Sequence, residues 1–121
     1  MGTKRRILII DDNEHIVAAL KVFLDRKYEI FTAGNGMEGL AAIEQCENGV
    51  DLVITDLVMP ELSGAEVISA VKKKYPKTLV IVMTGWGEHP DAMASEAHAD
   101  RLLVKPFGLE SLDGCLTELL S

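Results

Sequence analysis

Short, uninterrupted apolar runs recur along this chain and restrict its fold more than any other feature. Ile7-Leu8-Ile9-Ile10, Leu52-Val53-Ile54, Leu79-Val80-Ile81-Val82-Met83 and Leu102-Leu103-Val104 contain no polar residue. A strand wetted on one face alternates apolar with polar, whereas runs of this kind suit strands covered on both faces. A fifth segment, Tyr28-Glu29-Ile30-Phe31-Thr32, mixes the two types and reads as a strand nearer a sheet edge. Between the runs, apolar residues fall at helical spacing: Ile16, Leu20, Phe23 and Leu24; Met37, Leu40, Ala41 and Ile43; Val67, Ile68 and Val71; Leu109, Leu112, Leu116 and Leu119. The segment Asp91 to Ala97 also reads as helical, but its apolar side is alanine with one methionine, which predicts the least firmly docked helix.

Strand followed by helix, repeated five times, demands parallel strands with right-handed crossovers, because parallel neighbours cannot be joined by tight hairpins. The expected fold is therefore α/β, a doubly wound (βα)5 with a five-stranded parallel sheet. Turn signals at Asn48-Gly49, Ser63-Gly64 and Tyr75-Pro76 agree with these boundaries. At 121 residues the chain has the size of one domain that buries a core without disulfides or metal staples. Hydrophobic residues at 48% and charged residues at 26% exclude a disordered or collagen-like chain.

In open parallel sheets, ligands bind beyond the carboxyl ends of the strands. The residues closing the apolar runs are Asp11-Asp12, Asp56, Thr84 and Lys105, so three carboxylates, a hydroxyl and an ammonium are expected on one edge. Two like charges 4 Å apart repel by about 4 kcal/mol at an effective dielectric of about 20, so such a cluster calls for a cation. Mg2+ suits it, being a hard ion that takes carboxylate oxygens, phosphate oxygens and water. An aspartate there can accept a phosphoryl group while metal and lysine neutralise the charge on its oxygens. Each residue also has a plain reading: Asp12 or Asn13 as a cap of the first helix, Asp56 as a turn residue, Thr84 as a loop hydroxyl, Lys105 as a solvated charge. Five such residues at strand ends together favour the joint reading.

The ordered set Ile10-Asp11-Asp12, then Thr55-Asp56-Leu57-Val58-Met59-Pro60 with Gly64, then Met83-Thr84-Gly85, and Leu103-Val104-Lys105-Pro106-Phe107 resembles the response-regulator receiver domains of two-component signalling, the CheY-like superfamily. The resemblance covers nearly the whole chain and implies one receiver domain over residues 1–121. It implies a flavodoxin-like strand order 2-1-3-4-5. It further implies Asp56 as phosphoacceptor, Asp11 and Asp12 as organisers of Mg2+, and the backbone carbonyl of Val58 as a further metal ligand. Thr84 would be the switching hydroxyl and Lys105 the phosphate-contacting cation, with a cis Lys105-Pro106 peptide and with Gly85 leaving room beside the phosphoryl pocket. The implied partners are a sensor histidine kinase or a histidine phosphotransfer protein as donor, and an output domain or downstream protein as recipient. The response would pass through the face made by the fourth helical segment, the fifth strand and the last helix, a face also compatible with a weak homodimer. Such a domain is a cytoplasmic switch that promotes its own phosphorylation and dephosphorylation, not a turnover enzyme.

Two alternatives differ in class. An aspartyl-nucleophile phosphatase resembles a DxD pattern at the nucleophile, and Val58 stands where its second acid belongs. A degenerate receiver acting only as a scaffold is disfavoured by the presence of all five site residues. The chain departs from the family at Leu102, where an aromatic switch is usual, and at His98, where glycine is frequent and where a positive φ would cost a side chain strain. Trp86, two residues past Thr84, either screens the phosphoryl group from water or packs on its loop.

The remaining signals are negative. A net charge of -7, from 19 acidic and 12 basic residues, disfavours direct nucleic-acid binding and anionic membranes. Lys4, Arg5 and Arg6 precede an apolar run that stops at Asp11, too short for export or membrane spanning. Cys46 and Cys115 lack CxxC pairing and read as reduced, packed thiols. His15, His89 and His98 lack metal-ligand spacing, and Gly85-Trp86-Gly87 is not completed to a nucleotide loop because Pro90 stands in place of glycine. Lys72-Lys73-Lys74 complements a helix C-terminus and reads as a solvated face.

Overall fold

Ile7, Leu8, Ile9 and Ile10 have no solvent-exposed surface, and the same holds for Leu52, Val53, Ile54, Val80, Ile81, Val82 and Met83. That total burial is what the uninterrupted runs require of central strands. The computed structural model describes residues 4–46, 49–56, 64–85 and 99–120. Its strands are β1 (Arg6–Ile10), β2 (Glu29–Ala33), β3 (Leu52–Asp56), β4 (Leu79–Thr84) and β5 (Arg101–Val104). Its helices are α1 (Glu14–Leu24), α2 (Gly36–Gln45), α3 (Gly64–Lys74) and α4 (Leu109–Leu120). The expected helix at 91–97 lies outside the described residues. All strand pairs are parallel, in the order β2-β1-β3-β4-β5. The fold is the doubly wound, flavodoxin-like sheet expected, with the mixed segment of β2 at an edge.

Successive side chains of each strand go to opposite faces, producing two cores. Leu8, Ile10, Val53, Val80 and Val82 meet Ile43 of α2 and Val67, Ile68 and Val71 of α3. Ile7, Ile9, Ile54, Ile81 and Met83 meet Leu20 and Leu24 of α1 and Leu112 and Leu116 of α4. The helical spacing in α1 and α3 therefore identifies the stripes they pack on the sheet, and in α4 it does so for Leu112, Leu116 and Leu119 but not for Leu109, which is 39% exposed. In α2 it does so in part: Ile43 is buried and Leu40 packs against the core, but Met37 is 62% exposed and Ala41 is also exposed, while Gly36 and Gly39 are buried. Glycine lets this helix approach the sheet more closely than a stripe of large side chains would permit.

The register is held at the amino ends of the strands by two aspartates. Asp51 accepts the Arg6 backbone N–H at 2.8 Å. Asp100 accepts both the Val80 backbone N–H and the Lys72 ammonium at 2.8 Å. Lys72 also donates to the Thr78 carbonyl at 2.9 Å, so it is a half-buried tie between α3, β4 and β5 and not the solvated charge expected. With these ends tied, the register sets Ile10 beside Ala33 and Thr55, Asp56 beside Met83, and Thr84 beside Val104. The carboxyl ends thus form one ledge. Among the described residues, no helix is long and apolar enough to cross a membrane.

Candidate functional site

Asp11 follows the last residue of β1 and is 1% exposed, anchored to the ledge by its backbone N–H, which donates to the Ala33 carbonyl at 3.2 Å. One carboxylate oxygen accepts the Asn13 N–H at 2.9 Å and the other accepts the Lys105 ammonium at 3.0 Å. Both oxygens of this buried carboxylate are thus engaged by donors. Asn13, not Asp12, caps α1: its side-chain oxygen accepts from the N–H groups of His15 and Ile16 at 3.0 and 3.3 Å. The alternative left open by the sequence is thereby decided, and the exposed Asp12 carboxylate is not the cap.

Asp56 closes β3, 8% exposed, and Thr84 closes β4, fully buried. Lys105 stands just beyond β5, its backbone N–H donating to the Thr84 carbonyl at 2.7 Å, which ties the position of the lysine to that of the threonine. From there its ammonium reaches Asp11 at 3.0 Å and Asp56 at 3.5 Å. Burial works against the charged lysine, but the Asp11 hydrogen bond and the Asp56 and Asp11 charges outweigh it, and the Lys105 pKa lies above the ordinary lysine value. The Lys105-Pro106 peptide is cis, as expected.

Asp11, Asp12 and Asp56 each offer a carboxylate oxygen, and these atoms lie within 4.8 Å of one another. Three hard, anionic oxygen donors at that spacing, one of them open to solvent, fit Mg2+, which retains several waters and disfavours a closed protein cage. Val58, the expected carbonyl ligand, lies outside the described residues, as do Trp86, His89 and His98. Leu102 is half-buried and packs into the core beneath α2 and α3, paired in register with Val82. It is a half-buried aliphatic residue at the position where the resemblance leads one to expect an aromatic rotor. Beside Lys105 opens an apolar cleft lined by Ile16, Ala19, Leu20, Pro106 and Phe107.

Residues 7–116 match the response regulator receiver domain family. The chain is 30% identical over 118 residues to the sensor kinase CckA of Brucella abortus (strain 2308), covering 94% of this chain and 12% of that protein. It is 36% identical over 111 residues to the uncharacterized transcriptional regulatory protein YkoG of Bacillus subtilis (strain 168), covering 90% of this chain and 48% of that one. It therefore spans less than half the length of either relative. Response regulator protein TrrA from Thermotoga maritima, solved in complex with Mg2+-BeF, superposes with a TM-score of 0.84 at 36% identity, covering 95% of this chain and 98% of that one. This chain belongs to the response regulator receiver domain family. It is a receiver domain of the kind that response regulators use as signalling switches in two-component systems.

Proposed function

We propose that residues 1–121 form one receiver domain that takes a phosphoryl group onto Asp56 from a phosphohistidine donor, in a Mg2+-dependent step, and passes the change to an output domain or downstream protein. The observation that carries this reading is the meeting of three carboxylates within 4.8 Å with an ammonium 3.0 Å from one and 3.5 Å from another. Asp11, Asp12 and Asp56 would hold Mg2+, with the Val58 carbonyl as a further ligand. When bound, the ion neutralises phosphoryl oxygens and holds them near the acceptor.

The chain's own residues do the rest. An Asp56 carboxylate oxygen attacks phosphorus as the bond from phosphorus to the donor imidazole nitrogen breaks, giving an acyl phosphate and a neutral imidazole. Lys105, already charged and held by Asp11, needs no rearrangement to meet the incoming oxygens, which is the advantage of a preorganised cation. The Thr84 hydroxyl then donates to an oxygen that arrives only with the phosphoryl group. The apolar cleft beside Lys105 supports a protein donor, since it offers carbon surface to bury next to the acceptor. Against multiple turnover as a phosphatase stands Val58, where a second acid would be needed.

Incubation with a small phosphodonor is expected to give an alkali-labile label that forms with Mg2+ and fails to form with excess chelator. Asp11→Asn and Asp12→Asn are each expected to shift the Mg2+ titration of labelling to higher concentration. A label indifferent to chelator, or titrations unmoved in both variants, contradicts the metal assignment.

A further inference from the structure

Gly39 sits in the second turn of α2, buried directly over the end of β1. A Cβ built there would lie 2.3 Å from Ile10 Cδ1, 2.9 Å from Cγ1 and 3.7 Å from Cγ2. The first contact involves the end of the side chain, which χ2 rotation can move. The second involves an atom fixed by χ1, which is stiff in a β-branched residue. Ile10 has no exposed surface into which to turn, being enclosed in the core with Ala33, Ile43 and Val53. Accommodating a methyl group at position 39 therefore requires backbone movement of α2 or of β1.

The helix is not free to retreat. Its entry is fixed by Asn35, whose side chain accepts the Glu38 N–H at 2.9 Å, and by Glu38, whose carboxylate accepts the Gly34 N–H at 2.9 Å. This reciprocal pair follows β2, and β2 is bonded to Asp11 through the Ala33 carbonyl. The strand end must share the displacement, and the residue after Ile10 is Asp11. We infer that Gly39 is a positioning residue of the acidic site: the missing side chain lets Ile10 seat the end of β1 where Asp11 meets Lys105 and the other carboxylates. Glycine at 39 and isoleucine at 10 are a fitted pair. The consequence for Mg2+ rests on the reading given under Proposed function; the placement of Asp11 does not.

Four proteins test this: wild type, Gly39→Ala, Ile10→Ala and the double variant, with Asp11→Asn as the metal-site control. Backbone amide resonances of Asp11 and Asn13 are measured without metal, and Mg2+ affinity by titration. Helix propensity alone would make Gly39→Ala benign. The expected result is that Gly39→Ala shifts both resonances and weakens Mg2+ roughly ten- to hundredfold, the range for residues that orient a metal ligand. Adding Ile10→Ala, which removes both the 2.3 Å and the 2.9 Å contacts, returns both readouts toward wild type. Unmoved resonances in Gly39→Ala, or shifts that persist in the double variant, overturn the inference. If Gly39→Ala does not fold, recovery of folding in the double variant supports the fitted pair, and failure to recover overturns it. Rescued resonances with one Mg2+ titration common to every protein, Asp11→Asn included, leave the placement standing and reject the metal reading.

Discussion

Asn13 and Lys105 each bond one oxygen of the buried Asp11 carboxylate, and the same lysine reaches Asp56. The site nevertheless concentrates three carboxylates around one ammonium, and relief of that repulsion has a measurable consequence. Asp56→Asn is expected to stabilise the metal-free protein by about 1 kcal/mol and so raise its thermal midpoint, because relief of carboxylate repulsion, about 4 kcal/mol per pair 4 Å apart at an effective dielectric of about 20, is largely offset by loss of the Lys105 attraction. Mg2+ should narrow the gap, because a ligand bound only by the folded wild type stabilises it by mass action. Melting curves with and without Mg2+ check this; a variant less stable than wild type without metal contradicts it. Lys105→Met should slow labelling roughly a hundredfold, the scale of losing one preorganised electrostatic contact. The Lys105 pKa is raised on folding, so the stability from its pairing is fully present below the unfolded value of about 10.4 and is lost as pH rises through the folded value. The alkaline fall in thermal midpoint should accordingly be shallower in Lys105→Met than in wild type.

At the scale of elements, local chemistry decides which residues are free to act. Asn13→Ala removes the α1 cap and is expected to cost about 1 kcal/mol in denaturant unfolding, while the Asp12 carboxylate remains available to metal. The sequence left Asp12 and Asn13 as equal candidates for that cap because both side chains can accept from an N–H two or three positions on. The hydrogen bond from the Asn13 N–H to Asp11 belongs to the folded turn and is not visible in residue order. In α2, apolar spacing pointed to Met37 and Ala41, whereas the helix buries Gly36 and Gly39, since a pattern counted in large side chains does not register a face built from their absence. Lys72 misled similarly: its partner Asp100 is remote in sequence and joins it only once β4 and β5 are paired. At β5, Leu102 is half-buried against the core and carries no ring, so any response must use another route than a turning ring. In Thr84→Val, labelling of Asp56 should persist while the Trp86 fluorescence change on phosphorylation shrinks, together with any partner response. Full retention of both responses in a labelled variant would remove Thr84 from the coupling.

Across the whole molecule, order along the chain was the most legible property. Four uninterrupted runs gave the central strands and one edge, a mixed run gave the other, and parallel pairing followed from the helices between them. The convergence of Asp11, Asp56, Thr84 and Lys105 was legible for the same reason, because each closes a strand whose direction topology had already fixed. Distances and the identity of the residues orienting Asp11 were not, since they arise from side-chain packing on both faces. That packing is shared by two cores, so damage to either should melt the domain as a unit. Leu112→Ala, on the buried face of α4, is expected to cost about 2 to 5 kcal/mol in a single cooperative transition. Taken together, ledge, carboxylates and lysine make Asp56 the proposed site of phosphoryl transfer. Its most direct test is intact-mass measurement of wild type and Asp56→Asn after incubation with a small phosphodonor and Mg2+. One added phosphoryl group on wild type and none on the variant is the expected result; equal labelling of the two would place the acceptor elsewhere.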